Sequence, residues 1–138
     1  MITLLIGKKG SGKTKRLIDL ANNAVETSKG CVVVLEKELK MTYNISHRAR
    51  LVDTDAYGIH CSSCLYGFIC GICAGNYDVT DLLVDSTLKI TETDASGIVD
   101  LVERLEKLSG SDSVNFTLSI SAAEEAIPTE LHKYIAKG

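Results

Sequence analysis

Residues 7–14 of this 138-residue chain read Gly7-Lys8-Lys9-Gly10-Ser11-Gly12-Lys13-Thr14. Glycines at fixed places, followed by an ammonium and a hydroxyl side by side, suit the holding of a polyphosphate. Glycine lets the backbone pass close to an anion and turn its N–H groups inward. A helix that starts at the phosphate adds the positive end of its dipole. In this pattern, G-x-x-x-x-G-K-[ST] or P-loop, the lysine reaches the β- and γ-phosphates and the hydroxyl ligates Mg²⁺. A chance match in a chain of this length has a probability of roughly half a per cent at average composition. A glycine-rich turn that merely happens to contain Lys-Thr is therefore the weaker reading. The expected ligand is a nucleoside triphosphate, ATP with Mg²⁺. Lys13 and Thr14 would be the phosphate and metal contacts, and Gly7, Lys8, Lys9, Gly10, Ser11 and Gly12 would form the cradle.

Such a loop needs a strand before it and a helix after it, and the pattern supplies both. Met1–Ile6 is a short apolar run, as in a strand buried on both faces of a parallel sheet. From Lys13 to Ser28 the apolar residues Leu17, Leu20, Ala21, Ala24 and Val25 fall on one helical face. Gly30 then stands where a left-handed C-terminal cap would. Cys31–Leu35 predicts a second buried strand, Lys37–Arg48 a loop, and Arg50–Thr54 a weaker strand. Ser62–Gly75 predicts a helix through Leu65, Phe68, Ile69 and Ile72, despite three glycines. Asp81–Asp85 predicts a buried strand that Asp81 starts. Asp94 or Ser96 could cap a helix with Ile98, Leu101, Val102, Leu105 and Leu108 inward, ended by Gly110. Val114–Ile120 predicts the last strand, and Pro128 the first position of a short helix ending near Lys137. Strands alternating with helices imply an α/β fold: one domain over 1–138, with a mostly parallel sheet of about five strands and helices on both faces.

The second half of a magnesium site is an acid closing another buried strand. Asp85, after Leu82-Leu83-Val84, is the expected carboxylate, acting on the metal through water; Asp53, after Leu51-Val52, competes with it. Hydrolysis also needs a group to orient the attacking water. Many P-loop ATPases place a Glu directly after that Asp, but here the residue is Ser86. Glu36, at the end of the strand after the P-loop helix, lies on the edge where open α/β sheets bind ligands. Glu38 is a lesser alternative. Arg48 or Arg50 could reach the γ-phosphate within the chain or across a subunit boundary, or could simply be surface residues.

With Gly7–Thr14, Glu36 and Asp85-Ser86 in this order and at similar separations, the chain resembles the RecA-like (ASCE-type) P-loop NTPases over roughly Met1–Ser121. The resemblance implies Glu36 as water-activating base and Lys13 as catalytic cation. It also implies Ser119 and Ser121, at the end of the last strand, as sensors of the γ-phosphate. The last strand ends in Ser-Ile-Ser where recombinases have Gln. The stretch after Asp85 is short for DNA-binding loops, and no accessory domain is apparent. The resemblance thus extends to the NTPase core, not to recombination.

The net charge of −3 advertises no basic nucleic-acid face. Lys8, Lys9, Lys13, Lys15 and Arg16 form a local patch that bound phosphates would account for. The first strand starts too early for a leader ahead of it, and no apolar run approaches the roughly 20 residues of a membrane span. A cytoplasmic protein is expected, with its five cysteines as reduced thiols. Cys61-x-x-Cys64 and Cys70-x-x-Cys73 leave zinc binding and redox chemistry open beside plain packing. On one helix, however, Cys64 and Cys70 would lie about 120° apart.

Three functions fit: an ATPase with slow or partner-stimulated hydrolysis, a nucleotide-dependent switch that does not hydrolyse, and a small nucleoside or nucleotide kinase. Thymidine kinases share the P-loop core and carry a Cys-rich element, though in a C-terminal lobe unlike here. A kinase would need a second pocket, for which only Glu36–His60 is available. A protein partner and a homo-oligomer are both compatible with the sequence, and base specificity lies outside what a P-loop reads.

Overall fold

A computed structural model describes residues 1–40 and 44–136. Five strands, β1 (Ile2–Gly7), β2 (Cys31–Glu36), β3 (Arg50–Asp53), β4 (Val79–Val84) and β5 (Asn115–Ser121), form one sheet in the order β1-β5-β4-β2-β3. Every neighbouring pair is parallel. Parallel strands require crossovers. Three of the four carry α-helices: α1 (Lys13–Thr27), α2 (Ser62–Gly75), and the pair α3 (Thr87–Thr91) and α4 (Val99–Asp112); the fourth, from β2 to β3, carries no helix among the described residues.

The helices divide between the two faces of the sheet, as the alternation of strand side chains dictates. α1 lays Leu17, Ala21 and Val25 on Leu5, Val32, Val34 and Leu83. α2 and α4 cover the other face. There Leu65, Ile69, Leu101 and Leu105 meet Leu4, Val33, Leu82, Val84, Phe116 and Leu118. The central strands are buried on both sides, which is why Cys31–Leu35 and Leu82–Val84 read as unbroken apolar runs. Among the described residues, no helix is long and apolar enough to cross a membrane.

Several expectations need correction. Leu20, assigned to the inner face of α1, is exposed. Gly30 does not end α1 in a left-handed turn; the C-cap is Ser28 in extended geometry. Glycine is needed at 30 because a Cβ there would collide with the Asp78 carbonyl. β4 starts at Val79, so Asp81 lies inside the strand and does not start it. α4 runs through Gly110 to Asp112 and is capped by Ser113 in the left-handed region. Asp94 caps a 3₁₀ turn, Ala95–Ile98, that leads into α4. Pro128 precedes a 3₁₀ segment, Thr129–Tyr134, not an α-helix. The expected helix end at Lys137 and the 41–43 part of the expected loop lie outside the described residues.

Candidate functional site

Parallel strands end together, so loops after β1, β4 and β5 gather at one edge. α1 leaves β1 toward one face, while α3 and α4 leave β4 toward the other. β5, between β1 and β4, brings its own end into the resulting crevice. A cavity of ≈ 410 Å³ lies there, lined by Lys9, Gly10, Gly12, Lys13, Thr14, Asp85, Ser86, Lys89, Ser119 and Ser121. The volume falls in the range of small-ligand pockets.

The loop geometry explains the glycines. Gly7 has φ +149°, and a Cβ there would collide with the Ser11 side chain. Its N–H donates to the Ala122 carbonyl at 3.0 Å, so Gly7 turns the chain and offers no amide to a ligand. Ser11 N–H closes the loop on the Lys8 carbonyl at 3.1 Å. Gly12 caps α1 in the left-handed region, and no side chain caps the helix. Its first turn holds no acidic residue. The positive end of a 15-residue helix therefore faces the cavity without in-chain neutralisation by capping side chains.

Lys13 is only 8% exposed. Its ammonium donates to the Lys8 carbonyl at 3.1 Å. Burial pulls its pKa below the usual lysine value, and the nearby charge of Asp85 partly counters that shift. An ammonium so placed gains most from an anion entering the cavity.

Asp85 follows β4 and is 7% exposed. Its amide donates to the Leu35 carbonyl at 2.9 Å. The Ser119 hydroxyl donates to Oδ1 at 3.0 Å and the Ser86 hydroxyl to Oδ2 at 3.2 Å. Ser86 has φ +53° and directs its N–H at Ser119 Oγ, 2.7 Å away. This chain from Ser86 amide to Ser119 hydroxyl to carboxylate fixes the orientation of Asp85. Ser119 thus acts on Asp85, whereas Ser121, opposite Gly7 in the register, is exposed at the rim.

Glu36 ends β2 one strand away from Asp85 and is 3% exposed. Its Oε1 accepts the Lys40 N–H at 2.9 Å, and it does not line the cavity. Asp53 serves the chain beyond β3: its Oδ1 accepts the amides of Glu38 (3.1 Å) and Asp55 (2.9 Å). Glu38 is exposed and pairs with Lys40. Neither arginine reaches the cavity within the chain. Arg48 bonds Glu26 and the Val25 carbonyl near the far end of α1, and Arg50 starts β3 at the opposite edge of the sheet.

Lys89 was not foreseen. It joins Lys9 and Lys13 as a third cation at the cavity. It rides on α3, whose five residues are too few for a helical period to mark its place.

The cysteines do not gather at one point. Cys61 and Cys64 form a disulfide, contrary to the expected reduced state, while Cys31, Cys70 and Cys73 are free thiols. Among the described residues, no group of three or more His, Cys, Asp or Glu side chains is placed to hold a metal ion.

Lys9, Lys13 and Lys89 share the cavity with Thr14 and the oriented Asp85 carboxylate, so cationic and acidic groups meet in one crevice. No protein-family model matches the chain, and no curated protein is significantly similar to it.

Proposed function

We propose that this chain binds Mg·ATP in the cavity at the head of α1 and hydrolyses it slowly or under stimulation by a partner, as a minimal RecA-like P-loop NTPase. One observation carries the reading: Lys13, almost fully buried, stands in an uncapped helix terminus opposite an oriented aspartate. Asp85 offsets part of the cost of burying this ammonium, and a polyphosphate would supply the rest. Thr14 and Asp85 would hold Mg²⁺, with Asp85 acting through water, and the metal would neutralise charge developing on the transferred phosphoryl group. Lys9, Lys13 and Lys89 add cationic donors. A cytoplasmic location, where ATP and Mg²⁺ are plentiful, belongs to the same reading.

Glu36 would orient the attacking water after releasing the Lys40 amide, which makes the 37–40 segment the point at which a partner could act. The same hydrogen bond favours a second reading, a switch that binds ATP without cleaving it. The kinase reading draws less support. A second cavity, ≈ 430 Å³ and bounded by Val33, Arg50, Val52 and Tyr57 among others, shares no residue with the first.

Calorimetric titration with Mg·ATP tests the proposal. One site per chain with micromolar affinity is expected, and absence of binding at millimolar ATP rejects it. Single-turnover assays with excess protein then divide the two readings. ADP formation supports the NTPase, and tight binding with no product over hours supports the switch.

A further inference from the structure

Cys61 and Cys64 are joined at the start of α2 by a bond that ties together very little. The two residues are three positions apart with Cα atoms 5.2 Å from each other, and the first helical turn already holds them close. Disulfides stabilise mainly by closing longer loops, so a purely structural role accounts poorly for this one.

Its surroundings suit exchange chemistry. Cys64 is exposed and Cys61 half-buried, so an external thiol can reach the bond. Cys61 is the N-cap of the 14-residue α2, and its sulfur accepts the Cys64 N–H at 3.1 Å. The Ser63 hydroxyl lies 3.5 Å from the same sulfur. Two donors at the positive end of a helix would hold a thiolate on Cys61 once the bond opens. Two of the free cysteines sit in different surroundings. Cys73 is buried in the core, its thiol pushed up to about 11, chiefly by desolvation. Cys31 is half-buried on β2, its thiol raised by desolvation and then by Asp78.

We propose that Cys61–Cys64 is a thiol–disulfide exchange site for low-molecular-weight thiols of the glutathione class. A thiolate RS⁻ attacks the exposed Cys64 Sγ, and the S–S bond breaks with its electron pair leaving on Cys61 Sγ. The Cys61 thiolate stays under the Cys64 amide, and Cys64 carries a mixed disulfide with R. A second RS⁻ attacks the R-side sulfur, releasing RSSR and the Cys64 thiolate; solvent protons complete the dithiol. The protein disulfide is reduced by two electrons, and two thiols are oxidised to one RSSR. In reverse, the Cys64 thiolate attacks RSSR and expels RS⁻. The Cys61 thiolate then attacks Cys64 Sγ, closes the bond and expels the second RS⁻. This activity does not depend on the nucleotide reading.

The test equilibrates the full chain in glutathione buffers from strongly oxidising to strongly reducing, followed by acid quench, alkylation and mass spectrometry. The expected result is reversible two-thiol titration of Cys61 and Cys64, with the same curve reached from both sides. Cys61→Ser keeps an oxygen cap on α2 and should retain one glutathione on Cys64 that is not displaced internally. Cys64→Ser should load Cys61 at least tenfold more slowly. A bond that stays closed in excess reduced glutathione in the folded protein overturns the proposal. So does a pair that stays reduced in excess oxidised glutathione, or equally fast exchange at Cys31, Cys70 or Cys73. The wild-type titration decides even if a variant fails to fold.

Discussion

Two helices of this molecule begin in opposite ways. α2 opens on Cys61, whose sulfur accepts an amide of the first turn, so the chain itself satisfies that terminus. α1 opens on Gly12, with no capping side chain and no acid in its first turn. A glycine in place of a capping side chain costs a helix only about a few tenths of a kcal/mol, but it leaves the first-turn amides without an in-chain acceptor. The chain leaves the cap out where a buried lysine, a second lysine from the loop and a third from α3 surround the same cavity. The contrast teaches that an open helix end becomes informative when several ammonium groups gather at it.

The largest expected effect breaks the α1 side of that contrast. Lys13→Ala should weaken Mg·ATP binding about 100-fold by calorimetry, since hydrogen bonds to charged groups contribute about 1.5–3 kcal/mol each. The melting temperature of the free protein should hold or rise, because the variant removes an ammonium whose burial already pulls its pKa down. A variant that melts much earlier and still binds ATP as the wild type does would make Lys13 a structural residue.

Gly7→Ala comes next and strikes the turn before the helix. A side chain at φ +149° that also meets Ser11 should cost about 1–3 kcal/mol in denaturant unfolding. Binding should fall too, because Ser11 and the Lys8 carbonyl that holds Lys13 move together. Wild-type stability in this variant would show that the loop tolerates a side chain there.

Asp85→Asn sharpens the comparison on the carboxylate side. The Ser119 hydroxyl can still donate to the amide oxygen and the Ser86 hydroxyl can accept from the new amide nitrogen, so the fold should survive. ATP affinity in the presence of Mg²⁺ should fall about tenfold, the weight of one water-mediated metal contact at ~1.4 kcal/mol. Affinity for metal-free ATP should stay level or improve, because a negative charge has left the cavity. Equal losses with and without Mg²⁺ would remove Asp85 from the metal.

How far these residues can be read from sequence depends on how local their constraints are. The Gly7–Thr14 turn and the strands around it follow from neighbours in the chain, and α2 falls over Ser62–Gly75 as the period predicts. The parallel sheet follows from the alternation of strand and helix runs. What escaped was set by tertiary contact. Gly30 is glycine because of Asp78, 48 positions on, and Ser119, expected as a γ-phosphate sensor, instead meets Asp85 because β5 lies next to β4. Lys89 reaches the cavity through a helix of five residues. The strand-end place of Glu36 is legible in the sequence, but the Lys40 amide on its carboxylate belongs to a loop without a period.

The smallest effect tests a closed terminus. Asp94 accepts the Ser96 hydroxyl at 2.6 Å and the amides of Ser96 and Gly97 at 3.1 and 3.3 Å. These bonds, the Ser96 hydroxyl foremost, hold its pKa below the ordinary aspartate value. A depressed folded pKa gives stability that is present above the unfolded value, about 3.9, and lost as pH falls through the folded one. Asp94→Ala should therefore melt slightly below the wild type at pH 7, and the gap should narrow as the solution is acidified below that range. Asp94→Asn keeps a good cap without the charge. It should recover most of the neutral-pH loss and leave a melting curve with less pH dependence between about pH 2 and 5. Should alanine and asparagine behave alike at every pH, the cap contributes nothing, and a helix start closed by a side chain would be no more stable here than an open one.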